Sequence, residues 1–198
     1  MVAEDTRVAS RLLMAIGIKK PLARADEHAP DSTLQKILSE VASGKKVVVT
    51  SDAGTPGISD PGVRLVNMAY EAGLSVDSIP GPSAPTNALA LSGFFAQRYL
   101  FLGFLPRKAG PQISELSSYR DSTITIVFFE TAPRIGKTLV NVQKALGDRR
   151  IAICREMTKK FQEVIRGNLN EILASGAVYK GELTVIVEGF RRGSAELG

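Results

Sequence analysis

The segment VVVTSDAGTPGISDPG, Val47 to Gly62, has the residue types and spacing best suited to chemistry. Val47, Val48 and Val49 make a short β-branched run of the kind buried in parallel sheets. The run feeds a loop with glycines at 54, 57 and 62 and prolines at 56 and 61. In open α/β sheets, ligands bind beyond the carboxyl ends of strands. Gly54 and Gly57 let backbone N–H groups approach a ligand with no Cβ in the way. Asp52 sets a carboxylate at the strand end, where it suits a ribose hydroxyl or an amino group. A plain strand–helix connection takes roughly 2–6 residues; this one is longer, and ligand binding accounts for it better. Asp60 before Pro61 reads as the N-cap of the next helix.

Four other places hold reactive side chains. IPGPSAPTN, Ile79 to Asn87, puts a Pro-Gly-Pro turn at the end of a neighbouring strand. Ser83 is explained as well by helix capping as by ligand binding, but the turn can face the same crevice as the first loop. In FFETAPR, Phe128 to Arg134, Glu130 and Arg134 fit a structural ion pair or a cleft-facing pair equally. Glu4 and Asp5, in AEDTR, suit the first turn of a helix or a crevice edge. His28, the only histidine, lies in the polar stretch ADEHAP. A loop histidine is usually just solvated, yet imidazole is a common base near neutral pH. Glu4, Asp5, His28 and Glu130 are therefore the candidates for a proton acceptor. No Walker-type loop, G-x-S-x-G or H-E-x-x-H occurs.

These segments need elements to hold them, and the pattern supplies alternating strands and helices. Apolar spacing predicts helices over Val2–Ile16, from Asp31 or Ser32 to Ala42, from Asp60 to Ala72, and over Pro82–Leu91. Val47–Val49 and Leu74–Ile79 read as the strands between them. Beyond Gln97, 99–105 is apolar and aromatic, strands are expected at 123–129, 151–155, 161–166 and 183–188, and helices at 113–119, 133–146 and 170–175. Alternation predicts a parallel sheet in the first half. Closely spaced late strands predict a mixed sheet in the second. Two α/β domains result, 1–97 and 98–198.

Composition narrows the setting. The 198 residues are 44% hydrophobic and 23% charged, as in ordinary globular chains. No apolar run spans a bilayer, and no signal-peptide core follows Met1. One cysteine, Cys154, excludes an internal disulfide and favours a reducing cytoplasmic setting. Its apolar strand makes it a core residue. With one Cys and one His, no metal site is expected. The net charge of +5 suits a nucleic-acid partner, with basic pairs at Arg107-Lys108, Arg149-Arg150, Lys159-Lys160 and Arg191-Arg192.

SDAGTPGISDPG, PGPSA followed by NALALSGF, FLGFLPRK, the E-x-x-x-R of FFETAPRI, REMTKKFQE, GELTVIVEG and the early AEDTR with DEHA occur here in one order. As a set they resemble the ribosomal RNA small subunit methyltransferase I family of the tetrapyrrole methylase superfamily. The resemblance implies a two-domain α/β enzyme, usually a homodimer, with S-adenosylmethionine in the cleft between domains. It places Ser51, Asp52, Ala53, Gly54, Thr55 and Pro56 on the cofactor, with Gly81, Pro82, Ser83 and Ala84 as the neighbouring wall. Glu130 and Arg134 belong to the second domain's side. The reaction implied is 2′-O-methylation of a cytidine in small-subunit ribosomal RNA. The family's opening strand and TPIGN-type loop have no counterpart here, so the first domain is expected to lack its first strand. The family also extends past the VEG strand, so the sequence reads as shortened at both ends. ETAPR replaces the commoner E-S-P-H-R and lacks its histidine.

Two other readings compete. One is an inactive remnant that still binds RNA or a partner. The other is a methylase acting on a tetrapyrrole, since one fold serves many substrates.

Overall fold

A computed structural model describes residues 1–52 and 54–191. The chain divides into two compact units, Met1–Ser83 and Ala84–Gly198. The boundary expected from sequence lay near Gln97.

The first unit is built on three short parallel strands. Strand β1 (Val2–Ala3) leads into helix α1 (Thr6–Ala15), then β2 (Ala23–Arg24), α2 (Asp31–Ala42), β3 (Val49–Thr50) and α3 (Val63–Glu71). The sheet order is β2-β1-β3, both pairs parallel. Parallel neighbours need crossover connections, which α1 and α2 provide. Val2, Leu34, Ile37 and Leu65 form the core, with Val47, Val49 and Met68 packed against it.

Four expectations are corrected here. Val2 and Ala3 are strand, and α1 begins only at Thr6, where Asp5 caps it by accepting from the Arg7 backbone N–H at 2.8 Å. Helix α2 has Pro30 as N-cap, and Asp31 sits in its first turn. Among the described residues Leu74–Ile79 pairs with no strand, and Ile79 is 88% exposed. Alternating apolar residues make a segment fit for a sheet, but a strand exists only when a neighbour completes its hydrogen bonds. Finally, Asp60 does not cap α3. The N-cap is Gly62 at φ 130, and no side chain bonds there. Residues with a Cβ disfavour that backbone conformation, so the helix starts after the glycine and leaves Asp60 in the loop.

The second unit opens with α4 (Ala84–Ser92) and continues through β4 (Tyr99–Phe104), α5 (Ala109–Ser117), β5 (Thr125–Thr131), α6 (Ile135–Leu146), β6 (Arg150–Arg155), β7 (Glu163–Asn168), α7 (Leu169–Ala174) and β8 (Glu182–Val187). The sheet order is β4-β5-β8-β6-β7; only β4–β5 is parallel. This is the mixed sheet expected. Side chains alternate between faces along each strand. Ile126 and Phe128, Ile151 and Ile153, and Val185 and Val187 enter a core with Leu116 of α5, Leu139 and Val142 of α6 and Leu169 of α7. Val127, Ala152, Cys154 and Ile186 point the other way, against Ala88 and Leu89 of α4. Cys154 is thus a core residue, and burial pushes its thiol up to about 11. Among the described residues no helix is long and apolar enough to cross a membrane.

Just past β8 the backbone closes on the segment before β5. Phe190 N–H donates to Ser122 C=O at 2.7 Å, and a Cβ on Gly189 would lie 2.1 Å from the Thr123 carbonyl oxygen. Backbone cannot yield as a side-chain tip can. Gly189→Ala is expected to destabilise the second unit by about 1–3 kcal/mol, measured by urea unfolding. A change below a few tenths would show that the two segments separate readily.

Candidate active site

The loop after β3 folds on itself. Gly57 N–H donates to Pro61 C=O at 3.2 Å and Ile58 N–H to Thr55 C=O at 3.2 Å. Gly54 and Gly57 lie at φ 72 and 81, in the left-handed region. The Thr55 hydroxyl donates to Pro82 C=O at 3.0 Å. That bond joins the loop after β3 to the Pro-Gly-Pro turn, two segments the sequence could only suppose to be neighbours. Of the residues expected on the cofactor, Ser51 and Thr55 are half-buried, whereas Asp52, Gly54, Pro56, Gly81 and Pro82 are exposed. Ser83 is half-buried, Ala84 begins α4, and Ala53 lies outside the described residues.

Asp60 is the residue that sequence reasoning misread. Its Oδ2 would lie 3.8 Å from a Cβ on Gly54, so it stands beside the glycine loop. Burial raises its pKa above the ordinary carboxylate value. A hydrogen bond with Ser51 opposes the rise, and the nearby charges of Glu4 and Asp52 add to it. Three carboxylates therefore share one region, and desolvation makes Asp60 hold its proton more strongly than an ordinary solvated carboxyl does. Ser59, just before it, has φ 58, a conformation that costs a side-chain-bearing residue about 1 kcal/mol or more. Asp60 also lines an open hollow of about 620 Å³ with Glu4, His28 and Gly57. The sequence carried no signal that set Asp60 apart, because an Asp-Pro pair ahead of a helix obeys the capping rule.

The other proposed acceptors differ in their freedom. Asp5 is occupied by Arg7. The guanidinium bonds it at 2.5 Å, and these hydrogen bonds hold its carboxyl far below the usual range. His28 reaches the hollow, but its side chain is 86% exposed, and Nε2 lies 3.2 Å from the Glu27 carboxylate. Glu4 lines the same hollow. Glu130, in the second unit, is buried and fully engaged. It accepts from the Thr131 N–H at 2.8 Å and the Thr138 hydroxyl at 2.6 Å, and pairs with Arg134 Nε at 3.2 Å. Arg134 also donates to Leu105 C=O at 2.9 Å. Glu130 and Arg134 form an ion pair.

The basic pairs also separate. Arg149 is buried and donates to the carbonyls of Leu146, Glu188 and Arg120. Arg150 and Arg191 pair with Glu188, and Lys159 with Glu156 and Glu182. Arg192 lies outside the described residues.

The profile of the tetrapyrrole (corrin/porphyrin) methylases matches residues 2–173. A ribosomal RNA small subunit methyltransferase I of Thermotoga maritima is 42% identical over 191 residues, covering 96% of this chain and 86% of that protein. The protein of the same name in Bacillus subtilis is 39% identical, and this chain, 96% of it aligned, spans 65% of its length. Among solved structures, the methyltransferase CobJ has a TM-score of 0.63 at 18% identity, covering 97% of this chain and 95% of that one. Diphthine synthase has a TM-score of 0.67 at 15% identity, covering 90% and 73%. At such low identity these two show the fold alone, whereas the profile and the likeness to the curated relatives show descent. The chain belongs to the tetrapyrrole methylase family, within its ribosomal RNA small subunit methyltransferase I group.

Proposed function

We propose that this chain transfers the methyl group of S-adenosylmethionine to the 2′-hydroxyl of a cytidine in small-subunit ribosomal RNA. One observation carries the reading: the Thr55–Pro82 hydrogen bond, which ties the two glycine- and proline-rich loops into one surface. The donor is assigned to Ser51, Asp52, Ala53, Gly54, Thr55 and Pro56, with Gly81, Pro82, Ser83 and Ala84 beside them. The residues fit such a group. Gly54 leaves room for close approach, and the Asp52 carboxylate complements a sulfonium cation and ribose hydroxyls. Family membership supports small-subunit RNA as partner, a homodimer as the working form and the cytoplasm as its place.

When bound, the donor supplies a methyl on positively charged sulfur, which leaves as a neutral thioether. The chain's part would be to position the acceptor hydroxyl toward the donor and to take up the proton that hydroxyl loses on transfer. Asp60 is assigned that task, since it stands beside Gly54 and burial raises its proton affinity.

Titration calorimetry tests the donor site. Heat of binding is expected from S-adenosylmethionine, with affinity reduced at least about tenfold in Gly54→Val. A β-branched side chain disfavours the left-handed backbone found at 54. A folded wild-type chain that gives no heat would overturn the reading and leave an RNA-binding remnant in its place.

A further inference from the structure

In the second unit, α5 and α6 enclose an open hollow of about 530 Å³. Arg107, Arg134 and Lys137 line it, and among the described residues no carboxylate does. Its inner side is a buried polar chain. Asn141 Nδ2 donates to Gln112 Oε1 at 2.5 Å, Gln112 Nε2 to the Thr138 hydroxyl at 3.4 Å, and that hydroxyl to Glu130 at 2.6 Å. Gln112 and Thr138 are each 2% exposed. Buried polar groups are costly unless every member has a partner, and here each link is made. The chain ends on Glu130, which holds Arg134 Nε at 3.2 Å, so the guanidinium is fixed at the wall. Arg107 and Lys137 are exposed and, among the described residues, form no ion pair. They differ from Arg150 and Lys159, which pair with carboxylates, and from Arg149, which is buried and donates to backbone carbonyls.

We infer that this hollow binds backbone phosphates of single-stranded RNA, with Arg107 and Lys137 as the contacting cations and Arg134 as a fixed charge behind them. The chemistry follows from the lining. Two exposed cations and one guanidinium anchored by Glu130, with no carboxylate among the described lining residues, favour a ligand of several negative charges. A strand of phosphodiesters supplies them at regular spacing. The choice of RNA over a small phosphate compound rests on the function proposed above.

The test is fluorescence anisotropy with a labelled single-stranded oligoribonucleotide across a series of salt concentrations, on wild type and on Arg107→Ala/Lys137→Ala. Both side chains are exposed, so the variant should fold, as circular dichroism would report. The expected result is at least about tenfold weaker binding. The slope of log affinity against log salt should flatten by about 1.4, because two phosphates of a single strand would no longer be neutralised. The variant Arg24→Ala/Lys45→Ala removes two cations that are already paired, with Asp26 and Glu40, and should leave both values unchanged. Unaltered RNA affinity and slope in folded Arg107→Ala/Lys137→Ala would overturn the inference. It would also fall if inorganic phosphate binds wild type and not the variant while RNA binds both equally; the hollow would then be a small-anion site. Calorimetry with S-adenosylmethionine on the same variant separates the two readings. Retained donor binding with weakened RNA supports the RNA site, and lost donor binding with unaltered RNA affinity counts against it.

Discussion

Asp60→Asn is expected to slow methyl transfer by about 10²–10⁴-fold, the range for losing a positioned general base. Asparagine keeps the size and an oxygen that can accept from Ser51, but it cannot take a proton. Affinity for S-adenosylmethionine should change little by comparison, which distinguishes loss of the base from collapse of the loop. The pH profile adds a second readout. The Asp60 carboxyl is raised above its ordinary value of 3.8, chiefly by burial. The rising limb of the wild-type rate should therefore lie above that value and vanish in the variant. Stability should move the opposite way. A carboxyl with a raised folded pKa binds more protons folded than unfolded, so it costs stability as pH rises from the unfolded pKa through the folded one. Removing it should raise the melting temperature at neutral pH, with the gain vanishing well below the ordinary value of 3.8, where both states are protonated. A variant with full activity would return the role of base to Glu4 or His28.

The largest stability effect is expected from Glu130→Ala. The carboxylate is 1% exposed and satisfies Thr131 N–H, the Thr138 hydroxyl and Arg134 together. Removing it leaves an arginine without its anion and two donors without an acceptor. Breaking such a buried pair costs about 3–5 kcal/mol. Because Arg134 is 28% exposed, water can answer part of its charge, so a value near the lower end, about 3 kcal/mol, is expected for the second unit by denaturant unfolding. Glu130→Gln keeps the acceptor oxygen and should lose less. If Glu130→Ala unfolds within about 1 kcal/mol of wild type, the carboxylate does not hold this corner, and the reading of Glu130 as a structural residue fails.

Much of the second unit was legible in the sequence because its strands are long enough for a period of two to show. Ile126, Phe128, Ile151, Ile153, Val185 and Val187 all reach one face of the sheet. The two-residue strands at Val2 and Ala23 carry no period, and their pairing depends on backbone bonds such as Ala23 N–H to Met1 C=O at 2.9 Å. Leu74–Ile79 shows the reverse, since a sheet-like pattern says nothing about the neighbour it requires. In the site, the glycine loop and the Pro-Gly-Pro turn were readable as binding segments, because glycine and proline constrain backbone wherever they occur. Asp60 was not. An Asp-Pro pair ahead of a helix obeys the capping rule, and only the backbone angle at Gly62 shifts the cap past it. Charge was the least legible feature. Arg149 and Arg107 look alike in composition, yet one is buried under backbone carbonyls and the other stands open beside a hollow.

If the joined loops of the first unit present a methyl donor to a ribose hydroxyl, the product itself is the most direct evidence. The measurement incubates the protein with S-adenosylmethionine carrying a labelled methyl and small-subunit ribosomal RNA, then locates the label by nuclease digestion and mass spectrometry. One labelled site is predicted, a 2′-O-methylcytidine, absent with Asp60→Asn. Label on a base rather than a ribose, or none from a folded chain that binds the donor, would contradict it.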